Sequence, residues 1–171
     1  MNAYVETLKT RFLLRVLCAL LFWLQQSHAD TSTSSHVQVR VSLVGRAYTH
    51  ELSELLAEWL LLQRLQARIQ PQPRLSLDDL LDSSDSNSVR VWLTLRSPEQ
   101  ARLYVADARG RRFHVRDVPL DHGLDELGRE KVAQVVLASV LAFVERSLPE
   151  TPLEAVKHAL AEAPAEPGTA T

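Results

Sequence analysis

Cysteine is all but missing from this chain of 171 residues. The one that occurs, Cys18, lies in a basic and apolar N-terminal stretch. If that stretch is removed, no disulfide, thiol nucleophile or thiolate metal site remains. Glycine is equally sparse. Gly45, Gly110, Gly123, Gly128 and Gly168 are scattered, so no glycine-rich loop is present to cradle a phosphate. No apolar run reaches the roughly 20 residues a spanning helix needs. The nearest candidate, Val132 to Val144, is interrupted by Gln134 and Ser139 and reads as a buried helix.

What the N-terminus does contain is an export signal. Lys9, Arg11 and Arg15 form a basic region and Val16 to Leu24 an apolar core. Ser27-His28-Ala29 then supplies a small-x-small cleavage site before Asp30. Two fates are open: cleavage after Ala29, giving a periplasmic or secreted protein, or retention of the leader as an inner-membrane anchor. Cys18 follows Val16-Leu17 rather than a small residue, which argues against a lipoprotein acceptor. Residues 1–29 carry three of the 19 Lys+Arg and one of the 21 Asp+Glu, so the mature chain has 16 bases and 20 acids, a charge of −4. That balance favours solubility over adhesion to polyanions. The 171 − 29 = 142 mature residues fit one domain with tails.

After a polar lead-in over residues 30–35, a single domain is expected over residues 36–148. A short amphipathic helix over 149–162 and a disordered Ala/Pro/Glu tail over 163–171 follow. Val37, Val39, Val41 and Leu43 alternate with polar residues and predict a strand. Thr49 caps a helix whose apolar positions run from Leu52 through Trp59 to Leu65 and Ile69, until Pro71 and Pro73 stop it. Four Asp and five Ser make residues 74–88 a connector, with Leu75 to Leu81 able to form a helical turn. Val89 to Arg96 and Arg102 to Val105 are strands. Asp107-Ala108-Arg109-Gly110 is a hairpin turn, and Phe113 and Val115 mark the return strand. Asp121 or Asp125 caps the last long helix. The expected fold is therefore α+β: a mostly antiparallel sheet of about four strands, chain order βαβββα. Two helices cover one face, and a short C-terminal helix follows.

In that arrangement the other sheet face is bare. It would display Arg40, Arg90, Trp92, Arg96, Arg102, Tyr104, Arg112, His114 and Arg116, a mixture of guanidinium and aromatic groups common at binding surfaces. An envelope protein or an anionic glycan suits it; nucleic acid does not fit an exported, acidic chain. The same composition also describes a solvated face on which arginine stems cover the sheet.

No catalytic set stands out, and nothing calls for a cofactor or metal. His50-Glu51-Leu52-Ser53-Glu54 has Glu54 where the zinc motif HExxH needs its second histidine. Asp78, Asp79, Asp82 and Asp85 lack the glycine and the terminal glutamate of a calcium loop. His36, His50, His114, His122 and His158 fall in different elements, and no GxSxG is present.

The element order from about Val37 to Arg146 resembles the small α/β N-terminal domain of TolB-type periplasmic proteins. The matching region is Arg102-Leu103-Tyr104-Val105 and Phe113-His114-Val115, with Arg129 and Ala133 opening the long helix. The resemblance implies an envelope protein–protein interaction module without catalysis. The reading that follows is a non-enzymatic, exported adaptor. The alternative is a small secreted hydrolase or glycan-acting protein pairing Asp or Glu with His114 or His122.

Overall fold

The computed structural model describes residues 37–83 and 88–162. The leader, the lead-in, the tail, His36 and Asp85 lie outside them. The fold is α+β, as the patterning implies, but the sheet has five strands and is mixed. In chain order the elements are β1 (Gln38–Val44), a single 3-10 turn (Gly45–Ala47), α1 (His50–Leu62), β2 (Gln66–Gln72) and α2 (Leu77–Leu81). Then come β3 (Ser88–Ser97), β4 (Gln100–Ala106), β5 (Phe113–Pro119), α3 (Glu126–Val144) and α4 (Leu153–Ala161). Spatially the order is β2-β1-β3-β4-β5. β1 is parallel to both β2 and β3, whereas β3, β4 and β5 form an antiparallel meander.

The extra strand corrects the expected helix over Leu52 to Ile69. Thr49 does cap α1, its hydroxyl accepting from the Leu52 amide at 3.2 Å. The helix nevertheless ends at Leu62, well before Pro71. Arg64 takes the left-handed conformation, with φ +59. The Arg64 amide then donates to the Leu61 carbonyl at 2.8 Å, and the Leu65 amide reaches back to Leu60 at 3.0 Å. This paired closure is the Schellman stop, built without its usual glycine. Beyond it Gln66, Arg68, Gln70 and Gln72 alternate with Ala67, Ile69 and Pro71 along the edge strand β2, where a proline is tolerated. The structure ends α3 the same way, with Arg146 at φ +58. A left-handed non-glycine residue costs about 1–2 kcal/mol, partly offset by the greater freedom a glycine has when unfolded. Arg64→Gly should therefore raise stability by about 0.5 kcal/mol in urea unfolding, with the same dependence on denaturant.

The first sheet face carries the main core. Val39, Val41, Leu43, Val91, Leu93, Ala101, Leu103, Val105 and Val118 meet Leu52, Leu56 and Leu60 of α1 and Val132, Val136, Val140 and Phe143 of α3. Two helices on one face is thus the observed arrangement. The second stripe of α3, Leu137 and Leu141, packs partly buried against this same core.

The other face is not bare. Val44, Trp92, Tyr104, Ala106 and Phe113 form a second cluster with Leu80 of α2 and Val156 of α4. The connector from β2 to β3 has to pass β1 to place β3 on its far side, and α2 lies on that connector. At the other end of the chain, Thr151 carries the polypeptide past β5 before α4 begins. The Thr151 amide donates to the Phe113 carbonyl at 2.7 Å, and its hydroxyl accepts from the Val115 amide at 3.1 Å.

Candidate functional site

The nine residues expected on one open face divide into three groups. Arg90, Trp92, Arg96, Arg102 and Tyr104 do share the second face, but α2 and α4 cover them. Arg112, His114 and Arg116 do not share it. In β5 the residues opposite Tyr104 and Ala106 are Val115 and Phe113, so the apolar side of this strand belongs to the second face. His114 and Arg116 stand opposite Val105 and Leu103 and share the first face with them. Only Arg40 remains on the second face beyond the helices.

The covered group has structural partners. Arg102 is 6% exposed. Its guanidinium forks onto Asp117 through Nε–Oδ1 at 2.5 Å and Nη2–Oδ2 at 2.9 Å. Nη1 reaches the Ala159 carbonyl at 2.8 Å and Glu162 Oε2 at 3.2 Å. The Tyr104 hydroxyl donates to the same Ala159 carbonyl at 3.2 Å, and Arg96 donates to the Glu162 carbonyl at 3.0 Å. Three strand residues thus hold the C-terminal turn of α4, where unsatisfied carbonyls and the negative end of the helix dipole favour cations. The bond from Arg102 pulls the Asp117 carboxyl below its usual range, and its pull exceeds the opposing effect of burial. Burial pushes the Tyr104 phenol up, with Arg102 acting against it.

Arg90, 2% exposed, donates to the carbonyls of Asp79, Leu80 and Asp107, each at 3.1 Å, and lies 5.3 Å from the Trp92 ring centroid. It ties α2 to the β4–β5 hairpin. Gly110, at φ +61 in that hairpin, presses on α2 so closely that a Cβ would sit 2.9 Å from the Leu81 carbonyl oxygen. On the first face, Arg112 bonds Glu150 at 2.8 Å and stacks 4.7 Å from the Phe143 ring. His114 Nδ1 is 3.3 Å from the Pro149 carbonyl oxygen.

What α2 and α4 leave open is the second face over β1 and β2. There the parallel register aligns Gln66, Gln38 and Ser88 in one row and Arg68, Arg40 and Arg90 in the next. A groove of about 340 Å³ lies on this corner, lined by Gln38, Val39, Arg40, Gln66, Ala67, Arg68 and Ser88. No carboxylate of the described residues lines it. One row further on the surface closes, because Gln70 Nε2 donates to the Ser42 hydroxyl at 3.4 Å. The helical spacing of Leu65 and Ile69 hides β2, and with it this site. The alternation of Gln66, Arg68, Gln70 and Gln72 was the available signal.

Among the described residues no three His, Cys, Asp or Glu side chains are grouped to hold a metal. The histidine–carboxylate pairs found there are His50–Glu54 and His158–Glu162, each 3.2 Å apart along an exposed helix surface. No helix of the described residues is long and apolar enough to cross a membrane. Comparison of the chain with family models, curated proteins and solved structures gives no match.

Proposed function

We propose that the mature chain is a non-enzymatic interaction module of the bacterial cell envelope. In this reading the leader is cleaved after Ala29, and a partner protein is engaged along the β2 edge. The observation that carries it is the difference between the two edges of the sheet. Thr151 closes the start of β5, from Phe113 to Val115, whereas β2 has no neighbouring strand beyond it among the described residues. An open edge offers backbone donors and acceptors to an added strand, which is a recurrent mode of peptide recognition. Pro71 has no amide hydrogen and confines such pairing to the Gln66–Gln70 part of the strand. This replaces the sheet face carrying Trp92 and Tyr104 as the contact surface, since α4 occupies that face.

The test places a photo-crosslinking residue at Arg68 or Gln70, and at exposed Leu127 as the reference, in cells producing the full chain. Adducts with one envelope protein from the β2 positions and not from Leu127 are expected, together with a mature mass that begins at Asp30. Identical adducts from all three positions would refute the edge. An adduct of the chain with itself would replace the adaptor with a self-assembling protein.

A further inference from the structure

We infer that the groove over β1 and β2 is a binding site for a small polar ligand carrying a carboxylate, seated between the Arg68 guanidinium and the Ser88 hydroxyl. The site does not depend on export or on a protein partner, because the ligand is a small molecule held by side chains of this chain alone.

Two independent observations support it. The first is the pair of serines on this face. Ser42 is buried and accepts from Gln70. Ser88, only 4% exposed, lines the groove and has no hydrogen-bond partner among the described residues. A buried hydroxyl without a partner costs about 1–3 kcal/mol, and nothing about the Gln38–Ser88 register prevents a neighbour from satisfying it as Gln70 satisfies Ser42. The second is the charge. Arg68 and Arg40 stand directly opposite each other on adjacent strands, about 4.8 Å apart along the ladder. Like charges in that position repel. Arg90, third in the row, is buried with both Nη groups donating to carbonyls of α2 and the hairpin, and Arg40 is half-buried with contacts of its own. Arg68 is exposed and forms no ion pair among the described residues, so an anion in the groove would neutralise it and relieve the row.

The donor set indicates the chemistry. One available guanidinium, one hydroxyl and the amides of Gln38 and Gln66 match a planar group of charge about −1, which a guanidinium meets as a fork. The glutamine amides also accept hydrogen bonds, so the ligand should carry an N–H or O–H near its carboxylate. A phosphate, closer to −2 and richer in oxygens, is usually met by backbone amides at a helix N-terminus or nest. This groove is lined by residues of three strands and has no helix N-terminus among them.

The test is an amide-resolved NMR titration of the mature chain at constant ionic strength. The probes are N-acetylglycine, its neutral amide, and inorganic phosphate. Saturable shifts centred on residues 38–40, 66–68 and 88 are expected with N-acetylglycine and not with the amide. Arg68→Gln should weaken the affinity about tenfold, and Ser88→Ala about threefold. Arg68 is exposed, so an unchanged spectrum away from β2 will show that this variant is folded. Equal shifts with the neutral amide, tighter binding of phosphate, or undiminished affinity in Arg68→Gln would each overturn the assignment.

Discussion

Arg102→Ala is expected to release α4 from the sheet while leaving the five strands assembled. The substitution removes the fork to Asp117 and the bonds to the Ala159 carbonyl and Glu162, and leaves Asp117 without its partner. Truncating one member of a buried charged pair commonly costs about 3–5 kcal/mol. Asp117 and Glu162 are each about 40% exposed and regain water, so about 2–3 kcal/mol is the better expectation here. Hydrogen exchange should show the effect selectively. The amides of Leu153–Ala161 should lose protection well before those of α1 and α3. Trp92 should become accessible to quenchers as Val156 withdraws. Arg102→Lys retains the charge but not the fork and should fall between the two. Equal loss of protection across α1, α3 and α4 would show that α4 is part of the main cooperative unit and refute the selective release.

The same contact gives the stability a pH dependence. Asp117 is held below its ordinary range by Arg102, so the unfolded state binds its proton more readily than the native state. The stabilisation is complete above the unfolded carboxylate value of about 4 and is lost as pH falls through the lower folded value. The stability gap between the native chain and Arg102→Ala should therefore be wide at about pH 7 and narrower at about pH 3. A gap that stays constant in urea unfolding at the two pH values would remove Asp117 from this account.

Gly128→Ala is the second substitution with a large expected effect, and its sign runs against helix propensity. Gly128 lies in the first turn of α3, where alanine would ordinarily gain about 1 kcal/mol. Its amide donates to the capping carboxylate of Asp125 at 2.8 Å. The connector folds back so tightly that a Cβ would fall on the Gly123 carbonyl oxygen and 3.1 Å from its carbonyl carbon. These are backbone atoms of a turn held at φ +74, and they have no rotamer by which to withdraw. Overpacking of this kind costs about 1–3 kcal/mol, and displacing backbone places this case at the upper end, about 2–3 kcal/mol net. Chemical denaturation compared with Ala138→Gly, mid-helix and exposed, would check it. The unusual result would be that adding a methyl at position 128 harms α3 more than removing one at position 138.

The residues explain why the helix starts were legible and the helix ends were not. Thr49 and Asp125 carry capping oxygens; Thr49 caps as expected, and of the two candidates Asp121 and Asp125 it is Asp125 that caps. The stops rely on Arg64 and Arg146 in a conformation that usually advertises itself through glycine. With no glycine at position 64, Leu65 and Ile69 continued a helical spacing, and β2 vanished into α1. The alternation gives the parity within β4 and within β5 but not across the hairpin between them, because a loop of six residues, 107–112, does not transmit phase. Arg90 and Arg102 looked exposed because they are charged. Their burial depends on carbonyls supplied by α2 and by Ala159, and such long-range partners leave no mark on local pattern. The groove depends on the same lost strand. Gln38 and Arg40 were visible, but without β2 nothing set Gln66 and Arg68 beside them.

The place of β1 at the centre of the sheet sets the order in which the molecule can assemble. Its two neighbours pair with Gln38 from Gln66 and Ser88, separations of 66 − 38 = 28 and 88 − 38 = 50 residues. The first of these strands to be synthesised therefore waits for β2 on one side and for β3 on the other, and closing loops of that length slows folding. The antiparallel meander β3-β4-β5 joins neighbours in the chain and is the natural nucleus. β1 then docks as a late keystone with α1 and β2 attached. A chain built this way stays open while its N-terminal half emerges. A cut that removes β1 would also strand β2, whereas a cut before α4 would leave the sheet whole.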